Sequence, residues 1–402
     1  MSTRALLTAD DDSRVQYPFG SPEVAEMNPS VDTSQRPIAF IWEVTQACDL
    51  SCEHCRADAQ PQRRPEELST AEGKALLDQL TRFGDRQLVV FSGGDPMKRP
   101  DLVELVDYGT DQGLLVSLTP SGTENLNADA IEALADAGLK RMALSLDGGD
   151  AGSHDAFRGE SGSFESTLRA AEATSDAGIP LQINTTVCAQ TVDDLPAIRE
   201  RVADLGAVLW SVFFLVPVGR GAVLEGITPE RADEVMAWLA DVADDSPFGL
   251  KTTEAPHYRR VRRQLAAEAE TGGAEDDGAG GPDRGPPNGR PGVVAGDGFA
   301  FVSHTGEVYP SGFLPKPAGR VPEDDVVEVY RHSDLFEALR DRDQLRGKCG
   351  ACPYRVVCGG SRSRAYAATG DPLASDPLCP YVPEGYDGPL PWDGGDRAVP
   401  GD

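Results

Sequence analysis

The sequence predicts an α/β fold, a partial (β/α)6 barrel of the TIM type followed by a small cysteine-rich domain. Short apolar runs, among them "IAFIWEV", "QLVVFSGG" and "LQINTTV", alternate six times with stretches of helical periodicity such as "TAEGKALLDQLTRF". Such β/α units in a row predict a parallel sheet. Because six units are fewer than a closed barrel needs, we expect an open barrel with its functional groups at the carboxyl ends of the strands.

The ends of the predicted helices carry their own signals. Ser69 stands three residues before Glu72, which is the spacing of a capping box at a helix start. Gly138, Gly178 and Gly206 follow helical stretches, and glycine commonly ends a helix because it tolerates a left-handed backbone. These local signals agree with the helix positions that the hydrophobic periodicity predicts.

Composition divides the chain into five segments. Residues 1–36 mix Pro, Ser and Asp without periodicity, so we expect a disordered or extended N-terminal segment. Residues 37–266 form the predicted barrel, and residues 267–297 have the composition of a flexible, acidic, Gly/Pro-rich linker. Residues 298–382 form the cysteine-rich domain, which begins with a hairpin turning at "HTGE", and residues 383–402 form a loose tail.

Charge and hydropathy exclude some classes of function. The chain has 66 acidic and 37 basic residues, a formal charge of −29 and only six lysines. Such a field repels nucleic acid, and an acidic, lysine-poor surface indicates a halophilic protein of haloarchaeal type. The sequence shows no apolar run long enough to cross a membrane and no secretory signal at its N-terminus, so we expect a cytoplasmic protein without membrane partners.

Cysteine spacing favours metal sites over disulfides, which a long chain in a reducing compartment does not need. The eight cysteines fall into two groups and one solitary residue: Cys48, Cys52 and Cys55; Cys349, Cys352, Cys358 and Cys379; and Cys188. The Cys-x3-Cys-x2-Cys group after a strand can bind three corners of a cubane iron–sulfur cluster, leaving the fourth iron without a protein ligand. Zinc stays an alternative, although the adjacent His54 is badly placed to complete its ligand shell.

This motif resembles the signature of the radical S-adenosylmethionine (SAM) enzymes. The stretch "FSGGDPMKRPD" resembles the Gly-Gly-Glu-Pro motif of that family, with Asp95 at the position of the glutamate. The resemblance implies a 4Fe-4S cluster whose open iron binds S-adenosylmethionine and cleaves it to a 5′-deoxyadenosyl radical, which takes a hydrogen atom from the substrate. Gly93, Gly94, Asp95 and Pro96 would then hold the methionine part of the cofactor.

The stretch "LSLDGGDAGSHDAFRG" resembles a further cofactor-binding segment of the family. The resemblance implies that Ser145 and Arg158 hold the carboxylate of the cofactor, which matches the guanidinium fork, and that Asp147 and Asn184 lie near its ribose. The alternative is that Asp147 caps a helix and Arg158 forms an ion pair on the surface.

The second cysteine group resembles the SPASM or Twitch extension that many radical SAM enzymes carry. Four thiolates without a histidine fit a second 4Fe-4S cluster or a structural zinc, and the spacing does not separate the two. Ser311 stands where full-length extensions have a further cysteine, which favours one auxiliary cluster rather than two.

The chain is most similar to the enzymes of the alternative haem pathway, which decarboxylate two propionates of iron-coproporphyrin III to vinyl groups, and to their haem d1 relatives. That resemblance implies an anionic porphyrin as substrate and a reductant such as ferredoxin. Two alternatives stay open: a maturase that modifies a ribosomal peptide or an enzyme, and a non-catalytic iron–sulfur or zinc protein acting in electron transfer or as a scaffold.

The stretch "HYRRVRRQ" is an unusual basic segment in so acidic a chain. It places Arg259, Arg260, Arg262 and Arg263 on one predicted helix with no acid among them. Such a patch could bind the carboxylates of a substrate, or its arginines could pair with acids elsewhere in the protein. Cys188 lies on a strand and is interpreted as a small buried side chain.

Overall fold

The computed structural model describes residues 31–271 and 293–392. The predictions for residues 1–30, most of the linker (272–292) and the end of the tail (393–402) lie outside the described residues. The strands are β1 (Ala39–Thr45), β2 (Leu88–Gly93), β3 (Leu115–Leu118), β4 (Arg141–Ser145), β5 (Leu181–Val187), β6 (Leu209–Phe214), β7 (Gly249–Thr253), β8 (Phe299–Val302), β9 (Glu307–Tyr309) and β10 (Gly319–Arg320).

The helices confirm the predicted alternation with strands. They are α1 (Thr70–Thr81), α2 (Leu102–Asp111), α3 (Ala128–Asp136), α4 (Ala151–Arg158), α5 (Ser163–Asp176), α6 (Leu195–Asp204), α7 (Pro229–Asp245), α8 (Tyr258–Thr271), α9 (Val326–His332), α10 (Asp334–Arg340), α11 (Gly347–Ala351) and α12 (Arg362–Thr369). Within residues 31–271 and 293–392, no helix combines the length and the apolar character that a membrane crossing requires.

All described strands belong to one sheet with the order β10-β9-β8-β1-β2-β3-β4-β5-β6-β7. Neighbouring strands from β1 to β7 are parallel, and β8 is parallel to β1. Strand β9 is antiparallel to both of its neighbours, β8 and β10. The predicted parallel α/β sheet is therefore confirmed. Because β7 and β10 stand at the two ends of the strand order, the sheet is open.

The structure adds a seventh parallel strand, β7, to the six that the apolar runs predict. Its sequence "GLKTT" has no apolar run, and every residue in it is only half-buried, so the hydrophobic pattern does not reveal it. Strand β8 lies beyond the predicted linker and pairs with β1, which joins the start of the cysteine-rich segment to the barrel sheet. The division of the chain into domains stays a prediction.

Alternate strand residues separate the two faces of the sheet. On one face Trp42, Phe91 and Met142 are fully buried in an apolar core against the helices. A Cβ at Gly73 of α1 would lie 2.5 Å from the Trp42 ring, so this helix packs closely on the sheet. Glu43 alternates with Trp42 and faces the interior of the open barrel.

The predicted helix signals are confirmed in detail. Ser69 and Glu72 form a complete capping box at the start of α1. Gly138, Gly178 and Gly206 have φ angles of 83°, 72° and 64° and follow α3, α5 and α6. Each glycine thus ends its helix in the left-handed region that other residues avoid.

We expect Ser69→Ala to lower the free energy of unfolding by about 1 kcal/mol, because the variant leaves the backbone N–H of Glu72 in the first turn of α1 without its partner. Urea unfolding followed by circular dichroism measures the change. The matched control is Ser175→Ala at an exposed position of α5, for which we expect a change within about 0.5 kcal/mol. Equal stability of the two variants would contradict the role of the cap.

Candidate active site

The first cysteine group forms one small cluster in the loop after β1. Cys48, Cys52 and Cys55 pack together with Leu50 and Ala59, and Cys48 and Cys52 are each 7% exposed. Burial raises the pKa of the Cys48 and Cys52 thiols, and the two neighbouring thiols raise that of Cys52 further. A cysteine binds metal as its thiolate, and a bound metal centre would stabilise that form against the effect of burial, which fits the predicted iron–sulfur cluster.

Hydrogen-bond donors point at the sulfur atoms of this cluster. The backbone N–H of Leu50 lies 3.4 Å from Cys48 Sγ, and that of Ala59 lies 3.4 Å from Cys55 Sγ. The Ser121 hydroxyl, which donates to the carbonyl of Gly94 at 2.8 Å, also lies 3.4 Å from Cys48 Sγ. The two backbone N–H groups are the donors to sulfur. Donors of this kind orient thiolate ligands and tune a bound cluster.

Arg220, which the sequence analysis missed, follows β6 and binds the backbone of the cysteine loop. Its Nε donates to the carbonyl of Cys52 at 2.9 Å, and its Nη1 donates to the carbonyl of Ala59 at 3.1 Å. The preceding Gly219 has φ 55°, and a Cβ there would lie 2.5 Å from the carbonyl oxygen of Cys55. The contact joins residues more than 160 positions apart, and "VGRG" carries no motif that signals it.

The Gly-Gly-Asp-Pro turn, residues 93–96, packs directly against the backbone at the carboxyl end of β1. Gly93 has φ 151°, and a Cβ there would lie 2.3 Å from the carbonyl oxygen of Thr45. A Cβ at Gly94 would lie 2.5 Å from that of Ala47. Since these contacts are to backbone, only glycine fits at either position, and Pro96 begins a short 3-10 helix immediately after the turn.

Asp95 directs its carboxylate into the protein. It is fully buried and accepts hydrogen bonds from the Thr123 hydroxyl at 2.7 Å and the backbone N–H of Ser121 at 3.4 Å. Its own N–H donates to the carbonyl of Ala47 at 2.6 Å. Burial raises the pKa of this carboxyl, although the Thr123 hydrogen bond opposes that shift. Asp95 therefore ties the loop after β3 to the cysteine loop.

Ser145 and Asn184 are direct partners on neighbouring strands. They face each other in the β4–β5 register, and both are half-buried. The Gln182 side chain donates to Asn184 Oδ1 at 2.7 Å, which leaves the Asn184 amide donors for another group. These two predicted cofactor residues are thus brought together at the end of the strands.

Asp147 and Arg158 form a buried ion pair, with Arg158 Nη1 donating to Asp147 Oδ2 at 3.3 Å. The alternative of a surface pair is wrong, and Asp150 rather than Asp147 caps α4. Burial lowers the pKa of Arg158, but the neighbouring Cys52 and Asp147 raise it by more. In the described part of the chain, its buried Nε has no hydrogen-bond partner. A guanidinium beside the cysteine cluster is well placed for a carboxylate.

The second cysteine group also converges. Its four cysteines line one cavity together with cationic side chains: Cys349, Cys352, Cys358, Cys379, Arg260, Lys348 and Arg355. Burial raises the pKa of Cys379 to about 11, while Arg260 and Lys348 oppose that shift. The backbone N–H groups of Asp376 and Gly360 each lie 3.4 Å from a sulfur, of Cys349 and Cys358 respectively. The cavity therefore has donors and positive charge for a metal–thiolate centre.

Two of the four arginines of "HYRRVRRQ" are paired with acids within the protein. Arg260 contacts both carboxylate oxygens of Asp233 at 2.5 and 2.7 Å, and Arg262 lies 3.3 Å from Asp244. Burial lowers the pKa of Arg259, and the charge of Cys358 opposes that shift. The interpretation as arginines paired with acids is therefore confirmed for Arg260 and Arg262.

The structure also locates Ser311 and Cys188, two cysteine-related positions from the sequence analysis. The Ser311 hydroxyl donates to Glu254 Oε1 at 3.2 Å, and the hydroxyls of Ser361 and Ser363 donate to the same carboxylate at 2.5 and 2.8 Å. Ser311 therefore links Glu254, at the end of β7, to residues 298–382, which contain the second cysteine group and are called the second cysteine segment below. Cys188 is completely buried, as its interpretation as a packing residue requires.

We expect Arg220→Met to weaken metal retention at the first cysteine group, because two carbonyls of the loop lose their donor. If that loop holds a cubane cluster, the loss is up to about four iron atoms per chain. Iron analysis and cluster absorbance after anaerobic reconstitution, with a chelator challenge, measure it. The control is Arg231→Met, which removes only surface ion pairs with Asp193 and Glu234. Equal iron content and equal chelator resistance in both variants would contradict this role of Arg220.

Comparison with known proteins completes the description of the site. Residues 42–202 match the radical SAM superfamily. The chain is 40% identical over 353 residues to the AdoMet-dependent heme synthase of Methanosarcina barkeri, which covers 86% of this chain and 97% of that protein. It is 41% identical over 345 residues to the protein of the same name from Nitratidesulfovibrio vulgaris, covering 85% and 92%.

A solved structure supports the same assignment at the level of the fold. Streptococcus suis SuiB bound to S-adenosylmethionine superposes with a TM-score of 0.66 at 16% identity, covering 86% of this chain and 78% of that one. The three-cysteine loop after β1, the glycine turn after β2 and the near full-length sequence relatives agree. The chain belongs to the radical SAM superfamily.

Proposed function

We propose that this radical SAM enzyme is a haem synthase, which converts two propionates of iron-coproporphyrin III to vinyl groups. The observation that carries the proposal is the likeness, at 40% and 41% identity, to two AdoMet-dependent heme synthases over nearly their whole length. In each conversion a propionate loses a hydrogen atom, its carboxyl group leaves as CO2, and one electron passes to an oxidant as the C=C bond forms. An enzyme of this kind must bind an anionic, flat macrocycle.

The first cysteine group has the features that the cofactors require. When bound, a 4Fe-4S cluster on Cys48, Cys52 and Cys55 together with S-adenosylmethionine would supply the radical that takes the hydrogen atom. Arg158 is buried beside these thiols with an unpartnered Nε in the described part, so we assign it to the cofactor carboxylate.

The other proposed cofactor residues divide by what they offer. Gly93 and Gly94 offer backbone at a turn that no larger residue can form, and Asp95 and Pro96 hold that turn in place. Ser145 and Asn184 offer polar side chains at the ends of β4 and β5. We assign Asp147 to the support of Arg158, in addition to the ribose side that the sequence suggests.

We propose a second 4Fe-4S cluster, rather than zinc, at Cys349, Cys352, Cys358 and Cys379. These cysteines line one cavity together with Arg260 and Lys348. The positive charge of these side chains would offset the negative charge of a cluster on four thiolates.

We also propose the conditions under which the protein works. The eight cysteines are free thiols in the structure, and oxygen-sensitive cysteine centres suit a reducing cytoplasm. The charge of −29 with six lysines suits a salt-rich solvent. A ferredoxin-like reductant would supply the electron that cofactor cleavage needs.

The deciding experiment uses protein reconstituted without oxygen, with dithionite, S-adenosylmethionine and iron-coproporphyrin III. We expect 5′-deoxyadenosine to form in step with the loss of two carboxyl groups from the porphyrin, measured by mass spectrometry. Cys52→Ala, which removes a cluster ligand, should abolish both products. Cleavage of the cofactor with an unchanged porphyrin would overturn the haem assignment and favour a peptide substrate.

A further inference from the structure

Within the described residues, one lysine lies inside the open barrel without an anionic partner. Lys251 is the central residue of β7, and its backbone pairs with Ser211 of β6, which in turn pairs with Asn184 of β5. These residues alternate with core residues such as Trp210, so they face the barrel interior. Strands lie about 4.8 Å apart, which places Lys251 about 10 Å across the sheet from Asn184.

The surroundings of Lys251 are positive. Within residues 31–271 and 293–392, its ammonium group makes no ion pair or hydrogen bond, and the charged group that acts on it is the cation Arg141. Burial, with a smaller effect of the nearby Arg141 charge, lowers the pKa of Lys251 to about 8. The side chain is nevertheless partly exposed, so an interior ligand can reach it. A largely buried ammonium group with no counterion in the described part of the chain is costly to maintain and is a candidate functional group.

The polar side chains on β4 and β5 use their acceptor atoms in hydrogen bonds with one another. Arg141 donates to Gln182 Oε1 at 3.4 Å, and Gln182 donates to Asn184 Oδ1 at 2.7 Å. In the part of the chain that the structure describes, the Asn184 amide donors therefore have no partner, and Lys251 has only donors. This part of the interior offers donors and positive charge in a chain of formal charge −29, which fits a carboxylate.

An aromatic surface lies next to this lysine. Phe213 is the next interior residue of β6 after Ser211, and its ring centroid is 6.4 Å from that of Phe313, which follows β9. Both rings are only half-buried. Alternate strand residues are about 7 Å apart, so Phe213 lies about that distance beyond Ser211, the strand partner of Lys251, towards the carboxyl end of the sheet, where the cofactor residues are.

We propose that Lys251 binds a carboxylate of the substrate while Phe213 and Phe313 stack against its flat macrocycle. This inference rests on the proposed function and names the residues that hold its substrate. The carboxylate is one that the product keeps, because an ammonium ion stabilises the negative charge that decarboxylation has to remove. Lys251 thus orients the macrocycle so that another propionate faces the cofactor.

The test titrates reconstituted holoenzyme with iron-coproporphyrin III and follows the Soret absorbance. We expect Lys251→Met to raise the Kd about 10- to 100-fold, the usual worth of a charge-assisted hydrogen bond, and Lys251→Arg to retain most of the affinity. The control is Lys74→Met, which removes a surface pair with Glu104. Cofactor cleavage by dithionite without porphyrin should be unchanged in the Lys251 variants.

A porphyrin whose carboxylates are esterified distinguishes the loss of the Lys251 contact from a general loss of binding. Wild type should bind the methyl ester of iron-coproporphyrin III more weakly than the acid, and Lys251→Met should bind the two about equally. In a second pair of variants, Phe213→Leu and Phe313→Leu, we expect Kd to rise about 2- to 10-fold from lost stacking. These variants keep Lys251, so they test the aromatic surface even if the methionine variant folds poorly.

The outcomes distinguish this inference from the function on which it rests. If wild type binds and decarboxylates the porphyrin but Lys251→Met binds it equally well, the subsite is wrong and the haem synthase assignment stands. If wild type cleaves S-adenosylmethionine but neither binds nor changes the porphyrin, both fail. A methionine variant that loses affinity for acid and ester alike would also overturn a carboxylate contact.

Discussion

The close contact of two backbones at the end of the sheet determines where the first cysteine group lies. The N–H of Gly94 donates to the carbonyl of Thr45 at 2.9 Å, and that of Asp95 donates to the carbonyl of Ala47 at 2.6 Å. These bonds continue the β1–β2 pairing beyond the strands and leave no space for a Cβ at Gly94. The first thiol, Cys48, is therefore positioned by the sheet itself rather than by a flexible loop.

Interior cations complement this backbone frame. The surface is strongly acidic, yet the two cysteine groups are accompanied by Arg158 and Arg220 at the first and by Arg260 and Lys348 at the second. Buried charges are costly unless they are paired. Clusters on thiolates carry negative charge, which these cations would offset when a cluster is bound.

The second cysteine segment is attached to the carboxyl ends of the barrel strands. Arg364 of α12 donates to the carbonyls of Phe214 and Glu254, at 3.2 and 2.8 Å, and the Glu254 carboxylate accepts hydrogen bonds from Ser311 and Ser361. Since β8 also pairs with β1, the segment contacts the sheet at both sides of its opening. Both cysteine groups therefore lie at the end of the barrel where the proposed cofactor and substrate residues are.

The sequence by itself determined the six apolar strands, the capping box at Ser69, the helix stops and both cysteine groups, because periodicity and short spacing are local properties. Only the tertiary structure decided that β7 completes the parallel run, that Arg158 pairs inside the protein, and that Arg220 holds a loop more than 160 residues away. Polar residues that face the barrel interior, such as Lys251, leave no hydrophobic pattern. Their partners depend on how distant strands are brought together, which the order of residue types along the chain does not reveal.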